Sequence, residues 1–303
     1  MRYRKMDMHA HSCYSVEPIP GVKGFKFSPA ETPEELYLKA KARGMDFVTI
    51  TDHDTIDGCL DFLAKNPEVK DFVVGEEVST QLPKSGLTVH INVYGHNVHQ
   101  HRELQKRRAD AFAVTRYCRE QGLYHCWNHP FYRENLSEIE EKEFMSFAQE
   151  VPVIEVRNGG RMQVLNVLAE ELAVRTHRGM QGGSDTHTGD IGAVYTASRC
   201  QDLEGFFQGI LAGESRVVGN HSSKRSFLFN NYLLGTKRVV RHYLRKPLAL
   251  RSRAQLLALA AAAFVFSPLV VRRHFRQQRQ LAVLALSRLS SLGQLSPTVL
   301  DAA

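Results

Sequence analysis

The stretch Asp7-Met8-His9-Ala10-His11-Ser12 decides how the rest of the chain is interpreted. It places two imidazoles two residues apart, behind an aspartate, in a first buried strand or in the turn directly after it. Residues i and i+2 of an extended strand project from the same face, so His9 and His11 can converge on one point. The pattern predicts half of a metal site at a strand end, although an H-x-H pair alone is a weak signal.

Similar chemistry recurs at or near the ends of later predicted strands. The further stretches are Thr51-Asp52-His53-Asp54, Gly75-Glu76-Glu77, His90, Asn128-His129-Pro130 and Ser184-Asp185-Thr186-His187. In a β/α barrel, the loops after all the strands meet at one face, whereas a doubly wound sheet gathers its site mainly at one switch point. The spread therefore favours a barrel. His90 is the exception, because it lies inside its strand and has to point inward.

Length and composition indicate a globular protein. The chain has 303 residues, of which 43% are hydrophobic and 23% charged, enough for one large core or two ordinary ones. The first five residues lead into the histidine motif without an apolar stretch, so we expect no signal peptide. Scattered cysteines with no C-x-x-C pair favour reduced thiols in the cytoplasm over a disulfide framework or a zinc finger. These cysteines are Cys13, Cys59, Cys118, Cys126 and Cys200.

The net charge of +7 conceals a division near residue 221. Residues 221–303 contain 14 basic residues and one acid, Asp301, whereas residues 1–220 contain 25 basic and 31 acidic residues. This shift in composition predicts two parts, an acidic body of residues 1–220 and a basic helical extension of residues 221–303.

Within the body, short apolar runs alternate with amphipathic helical stretches. We predict strands at 47–51, 72–74, 87–94, 124–128, 153–156 and 180–183, and helices at 32–44, 57–64, 100–121, 137–149 and 162–175. This alternation implies a parallel α/β arrangement. Residues 13–30, rich in proline and glycine, are predicted to form a long functional loop.

The ordered series D-x-H-x-H-S, T-D-H-D, G-x-E-x-S, an isolated H, H-P and G-S-D-x-H resembles the polymerase and histidinol phosphatase (PHP) family. The resemblance covers about residues 5–220 and excludes the extension. It implies a distorted (β/α)7 barrel and the activity of a metal-dependent phosphoesterase.

The resemblance also implies eight metal ligands in three sets. The first ion would be held by His9, His11, Glu77 and Asp185, the second by His90, His129 and a bridging Glu77, and the third by His53 and His187. Imidazoles with a bridging carboxylate suit Mn, Zn or Fe, so we expect two or three divalent ions per chain. Such ions lower the pKa of bound water and neutralise phosphate oxygens, which fits attack of a metal-bound hydroxide on a phosphoester.

One position departs from the family pattern. Relatives commonly continue as H-S-x-x-S-D, whereas this chain has Val16 in the place of the acid, which in relatives can help to bind the third ion. We therefore expect two tightly bound ions and a weak or empty third site, unless the neighbouring Glu17 takes over.

Two further side chains are candidate catalytic residues. Asp7 is expected to orient ligands rather than to bind metal. Arg157 is a candidate phosphate clamp, because a guanidinium can bind phosphate through two parallel hydrogen bonds. An arginine at a strand end forms a structural ion pair about as often, so both interpretations stay open.

Other polar residues near the motifs are interpreted as structural. Glu76 is expected to support its neighbour Glu77, because the family motif places the ligand at the second glutamate. His96, His99 and His101 are interpreted as loop and helix surface without a metal role.

The extension contains an uncharged run of 18 residues, 254–271, with arginines on both sides. Four consecutive alanines and Pro268 make this run a poor membrane span. Two interpretations remain open. Residues 224–288 either lie on an anionic membrane surface, which would make the protein peripheral to the inner face of the membrane, or they pack on the barrel or on a second subunit.

Together these features predict a metal-dependent hydrolase of phosphoesters, with phosphorylated small molecules as the favoured substrates. One alternative is an exonuclease acting at the 5′ end of short nucleic acids, whose phosphates the basic extension would contact. Another is a noncatalytic PHP scaffold, against which the eight retained ligands argue.

Overall fold

The protein has a mixed α/β fold, and the computed structural model describes residues 1–18, 26–132, 140–230, 232–233, 236, 268–269 and 271–286. The strands are β1 (Arg2–Met6), β2 (Glu17–Pro18), β3 (Lys26–Phe27), β4 (Val48–Ile50), β5 (Phe72–Gln81), β6 (Thr88–Tyr94), β7 (His125–Asn128), β8 (Val153–Asn158), β9 (Gly179–Gly183), β10 (Val194–Cys200) and β11 (Arg216–Gly219). The helices are α1 (Pro33–Ala42), α2 (Asp57–Lys65), α3 (Val98–Arg107), α4 (Ala111–Glu120), α5 (Glu141–Glu150), α6 (Gln163–Thr176) and α7 (Leu203–Leu211). Residues 224–230 and 271–286 are also helical.

A six-stranded sheet, in the order β4-β5-β6-β7-β8-β9, carries the candidate site. The pairs β4–β5, β7–β8 and β8–β9 are parallel, but β6 runs antiparallel to both β5 and β7. The prediction of a parallel arrangement was therefore wrong for β6. The physical reason is that a short turn, residues 82–87, joins β5 directly to β6, and a parallel pair would need a longer crossover.

The turn between β5 and β6 is held by a glutamate from a distant helix. Gly86 adopts a positive φ of 66°, which glycine accepts without strain. The Glu143 carboxylate on α5 accepts hydrogen bonds from the backbone N–H groups of Lys84 and Ser85, at 2.7 and 2.9 Å. These contacts fix the turn, and with it the register of β5 against β6.

The segment after β1 bridges the two edges of this sheet. The carbonyl of His9 accepts a hydrogen bond from the N–H of Asp185, beyond the end of β9, at 2.8 Å. The carbonyl of Ala10 accepts one from the N–H of Thr51, beyond the end of β4, also at 2.8 Å. The sheet is curled into a half-barrel, and the histidine motif spans its open side.

Apolar side chains of the strands and helices form the core on the outer face of this sheet. Trp127 of β7 is buried, and its ring meets those of Phe144 and Phe147 on α5 edge to face, at centroid distances of 4.8 and 4.9 Å. The separate antiparallel sheet β1-β10-β11 leads the chain into the histidine motif. The inner face of the curled sheet carries a second buried apolar cluster, which includes Val73 and Cys126, beside the polar side chains of the candidate site.

The helices differ from the prediction in two places, one of which is α7, a helix that was not predicted. The single helix predicted at 100–121 is two helices, α3 and α4, because Asp110 interrupts it and caps α4 by accepting a hydrogen bond from the N–H of Phe112 at 2.9 Å. The helix predicted at 137–149 begins at Glu141, and residues 133–139 lie outside the described residues. Of the predicted loop 13–30, residues 19–25 also lie outside them.

The helix of residues 271–286 packs against the body. Leu281, Ala282 and Ala285 are buried in the same core cluster as Trp127. Gln278 Oε1 accepts a hydrogen bond from the N–H of the residue before α6, at 2.8 Å. The described helix 271–286 therefore packs on the body, and the role of the extension as a whole remains a prediction.

Most of the uncharged run is not described, since residues 254–267 and 270 lie outside the described residues. Among the helices that the structure does describe, none combines the length and the apolar character needed to cross a bilayer. The division at residue 221 and the contact of residues 224–288 with an anionic membrane surface remain predictions.

Candidate metal centre

His9 and His11 lie side by side in the buried segment after β1. Both are completely buried, and their Nε2 atoms are 3.1 Å apart. Asp7 supports this segment, because its carboxylate accepts hydrogen bonds from the N–H groups of His9, Ser184 and Gly192 at 3.2, 2.8 and 2.6 Å. Burial raises the pKa of Asp7 to about 6, against the opposing effect of these hydrogen bonds. The backbone thus occupies both oxygens of Asp7, which fits an orienting residue.

Glu77, on β5, is the centre of a cluster of imidazoles. Its Oε2 atom lies 3.0, 3.2 and 3.4 Å from the Nε2 atoms of His9, His11 and His53, respectively. Its Oε1 atom lies 3.3 Å from Nδ1 of His90 and 3.2 Å from Nε2 of His129. The two oxygens of one carboxylate therefore face two different sets of nitrogen atoms, as a carboxylate shared by two ions would.

His90 reaches this cluster because β6 is antiparallel. Since β6 runs antiparallel to its neighbours β5 and β7, its start lies at the same end of the sheet as their carboxyl ends. His90 is the third residue of β6 and pairs with Asn128 of β7. From the sequence, His90 was expected to lie inside its strand and to point inward, unlike the other ligands at strand ends. The reversed direction of β6 explains its position.

Asp185 closes the cluster from the loop after β9. Its backbone is left-handed, with φ 50°, a conformation that aspartate tolerates better than most residues. Its Oδ1 atom lies 3.6 Å from Nε2 of His9 and 3.3 Å from Nε2 of His11. The ring of His187 follows at a centroid distance of 4.5 Å from that of His11.

All eight predicted metal ligands come together, in overlapping groups whose ligand atoms lie within 4.8 Å of one another. The groups are His9-His11-Glu77, His9-His129-Asp185, His53-Glu77-His90 and His11-His53-His187. The last group consists of three imidazoles without a carboxylate. Val16, at the position where relatives carry an acid, is 51% exposed. The structure does not describe the side chain of Glu17, the residue named as the alternative to the missing acid at position 16.

The charges of the cluster suit a cation. Burial alone would raise the pKa of Glu77, but the imidazoles of His9, His53 and His90 hold it well below its ordinary value. Burial alone would lower the pKa of His11, but the carboxylates of Asp185 and Glu77 raise it to about 9. The buried carboxylates stay ionised and retain protons on neighbouring rings, protons that a divalent ion would displace. Nitrogen and oxygen donors in this arrangement fit Mn, Zn or Fe.

Glu155, on β8, supports the cluster and was not predicted. It is completely buried, and its Oε1 lies 2.9 Å from Nδ1 of His9. Its Oε2 accepts hydrogen bonds from the N–H of His129 at 3.0 Å and from Nδ2 of Asn158 at 2.9 Å. A single acid within the apolar run 153–156 was the available signal, because an unpaired charge is rarely buried.

The structure brings Arg161, rather than Arg157, to the cluster. Nη2 of Arg161 lies 3.0 Å from Oδ2 of Asp185, and its guanidinium lies 3.6 Å from the ring centre of Tyr132. Nη1 of Arg157 instead donates to the carbonyl of Gly219 at 3.2 Å. The pairing of β8 with β9 shifts register between residues 155 and 157, and such a bulge redirects the side chains that follow.

Comparisons with known proteins bear on the fold. No family model and no curated protein matches the chain. A solved structure from Bifidobacterium adolescentis, provisionally assigned as a metal-dependent phosphoesterase, is 15% identical and covers 69% of this chain and 96% of its own, with a TM-score of 0.51. PsfC from Pseudomonas syringae is 16% identical and covers 80% and 100%, with a TM-score of 0.51. At this identity, the likeness establishes a shared fold alone.

Proposed function

We propose that this protein is a metal-dependent phosphoester hydrolase built on a distorted (β/α)7 barrel of the PHP type. The observation that carries the proposal is the position of Glu77, whose two oxygens face separate sets of imidazoles. One carboxylate between two nitrogen sets suits a pair of divalent ions that share a bridging ligand. The provisional assignment of the similar protein from Bifidobacterium adolescentis is consistent with this chemistry.

The eight converging residues would hold two or three divalent ions, Mn, Zn or Fe. Bound there, the ions would supply Lewis acidity toward phosphate oxygens and lower the pKa of water. The protein's own part is to hold the ligands in place. Glu155 fixes the ring of His9 through Nδ1 and thereby directs Nε2 of His9 toward Glu77.

Arg161 is the proposed phosphate clamp in place of Arg157. Its guanidinium is anchored by Asp185 and by the face of Tyr132, and its Nε atom is buried with no hydrogen-bond partner among the described residues. A phosphate oxygen would satisfy this donor and place the charge of the substrate beside the cluster. Arg161→Met removes the positive charge and Arg161→Lys keeps it. The difference in hydrolysis rate between these two variants therefore measures what the charge contributes.

A small pocket beside His90 and His129 gives the proposed substrate its entrance. Thr88, Pro130 and Tyr132 contribute to its lining. Phosphomonoesters of small molecules are the proposed substrates, and nucleic acid ends are the alternative. The membrane surface and the cytoplasmic location stay predictions beside this proposal.

The experiment is a hydrolysis screen with the full chain in excess manganese, using sugar phosphates, nucleotides and short 5′-phosphorylated oligonucleotides. Glu77→Gln should abolish hydrolysis, because the loss of one shared charge weakens the hold on two ions. His99→Ala, at an exposed position of α3, should retain full activity. Equal activity of the two variants would contradict the site, and release of mononucleotides from the oligonucleotides without hydrolysis of the small phosphomonoesters would favour the exonuclease. Metal binding without turnover of any substrate would favour the noncatalytic scaffold.

A further inference from the structure

A second cluster of potential ligands lies on the opposite face of β5. Glu76 precedes Glu77 in the strand, so its side chain projects away from the main cluster. Oε1 of Glu76 lies 3.1 Å from Nε2 of His96, and its Oε2 lies 2.8 Å from Nδ1 of His101. One ligand atom from each of these three residues lies within 4.8 Å of the others. The interpretation of His96 and His101 as surface residues was therefore wrong, while His99 is exposed.

His96 is the informative member of this cluster. It is 2% exposed, and neither of its ring nitrogens has a hydrogen-bond partner among the described residues. The Oε1 atom of Glu76, which faces Nε2 of His96, also lacks one. Buried polar atoms are nearly always satisfied, so a facing nitrogen and oxygen that form no hydrogen bond point to a missing partner. Nε2 of His96 and Oε1 of Glu76 lie 3.1 Å apart without the geometry of a direct hydrogen bond, and a cation that accepts electron pairs from both atoms would satisfy them.

We propose that Glu76, His96 and His101 bind one divalent transition-metal ion of the zinc type. Two imidazoles and one carboxylate form a ligand set that such ions favour, with water in a fourth position. The side chain of His101 is 19% exposed, which gives water and the ion a path to the cluster. Nε2 of Gln105 donates to Oε2 of Glu76 at 3.1 Å and orients the carboxylate.

This site stands independently of the proposed hydrolysis, because none of its three residues faces the main cluster.

An ion at this site would link three separate parts of the fold. Glu76 lies on β5, His96 in the turn after β6, and His101 on α3. The ion would hold the start of α3 against the strand that carries Glu77. We therefore assign it a structural role, distinct from the ions of the main cluster.

The test is the zinc content of the full chain after dialysis against a zinc buffer with a nanomolar free concentration. His101→Ala should retain one ion fewer per chain than the wild type, whereas His99→Ala, two residues away on the same helix, should retain the wild-type number. Because His101 is partly exposed, its variant should fold, and circular dichroism checks this. Equal zinc content in wild type and His101→Ala would overturn the proposal.

Anomalous scattering at the zinc edge gives a second readout that needs no variant. Wild-type crystals grown from the dialysed protein should show a peak between Glu76, His96 and His101. Anomalous peaks confined to the main cluster would overturn the proposal even if His101→Ala failed to fold.

Discussion

Replacement of Glu155 by glutamine tests how the protein sets the protonation of a metal ligand. In the wild type, the Glu155 carboxylate accepts from Nδ1 of His9 on one side and from the N–H of His129 and Nδ2 of Asn158 on the other. Glutamine has one accepting oxygen, and the two donors on the second side hold it there. Its NH2 group then faces Nδ1 of His9, so a neutral His9 must accept at Nδ1 and carry its proton on Nε2.

This exchange of tautomer leaves a proton on Nε2, the atom 3.0 Å from Glu77, and so removes the lone pair with which Nε2 would bind the ion. Carboxylates that orient a ligating histidine typically contribute 10- to 100-fold to metal affinity. We therefore expect Glu155→Gln to lower the affinity for the first ion by about 10- to 100-fold, or about 1.4 to 2.8 kcal/mol at 1.4 kcal/mol per factor of ten. Catalysis at saturating metal should recover in part.

The assay is competition for manganese or zinc between the protein and a chromophoric chelator at pH 7.5. Glu150→Gln is the matched control, because Glu150 lies on the surface of α5 with a side chain 40% exposed and pairs with Arg119 at 2.7 Å. A surface pair of this kind contributes little to stability. If Glu155→Gln bound metal within twofold of Glu150→Gln, then Glu155 would not set the tautomer of His9.

Three other perturbations have defined outcomes. Leu281→Ala should cost about 2 to 5 kcal/mol in urea unfolding, whereas Val283→Ala, 65% exposed, should stay within about 0.5 kcal/mol; equal small effects would mean that the last described helix does not dock. Burial lowers the pKa of His125 to about 4. Since the unfolded chain binds a proton below pH 6.5, stability should fall by roughly 3 kcal/mol between pH 6.5 and 4. In His125→Asn, the amide can still donate to the carbonyl of Leu123. The free energy of unfolding of this variant, measured in urea, should not show the decrease attributed to His125 between pH 6.5 and 4. Val16→Asp should raise the number of retained manganese ions, and three ions already bound in the wild type would contradict a weak third site.

Local motifs made the main cluster predictable. The residues of each motif lie within a few positions of one another, and each motif lies at the same end of the curled sheet. His9 and His11 needed only the alternation of an extended segment to converge. The presence of strands and helices followed from periodicity in the same way, which is why the six predicted strands correspond to β4–β9 and the five predicted helices to α1–α6, one of them divided in two.

The features that were not predicted from the sequence depend on contacts between distant parts of the chain. The direction of β6 was set by the turn at 82–87, whose Pro-Lys-Ser-Gly run between two apolar stretches was an available signal. Arg157 was a candidate phosphate clamp at the end of its strand, but the register shift between residues 155 and 157 directs it to the carbonyl of Gly219. The partnership of Glu76 with His96 and His101 joins residues 20 and 25 positions apart, and only the packing of α3 on β5 reveals it.

Because Glu76 and Glu77 are adjacent in β5, the register of this strand decides which of the two carboxylates faces the main cluster. A slip of one residue would turn Glu76 toward the imidazoles of the main cluster and send Glu77 to the opposite face, exchanging two acids that no local propensity distinguishes. A misaligned chain would still present a carboxylate to each set of histidines, so the error would be partly concealed. The hold of Glu143 on the β5–β6 turn opposes this error, and weakening it should yield protein that folds with the wrong acid in place.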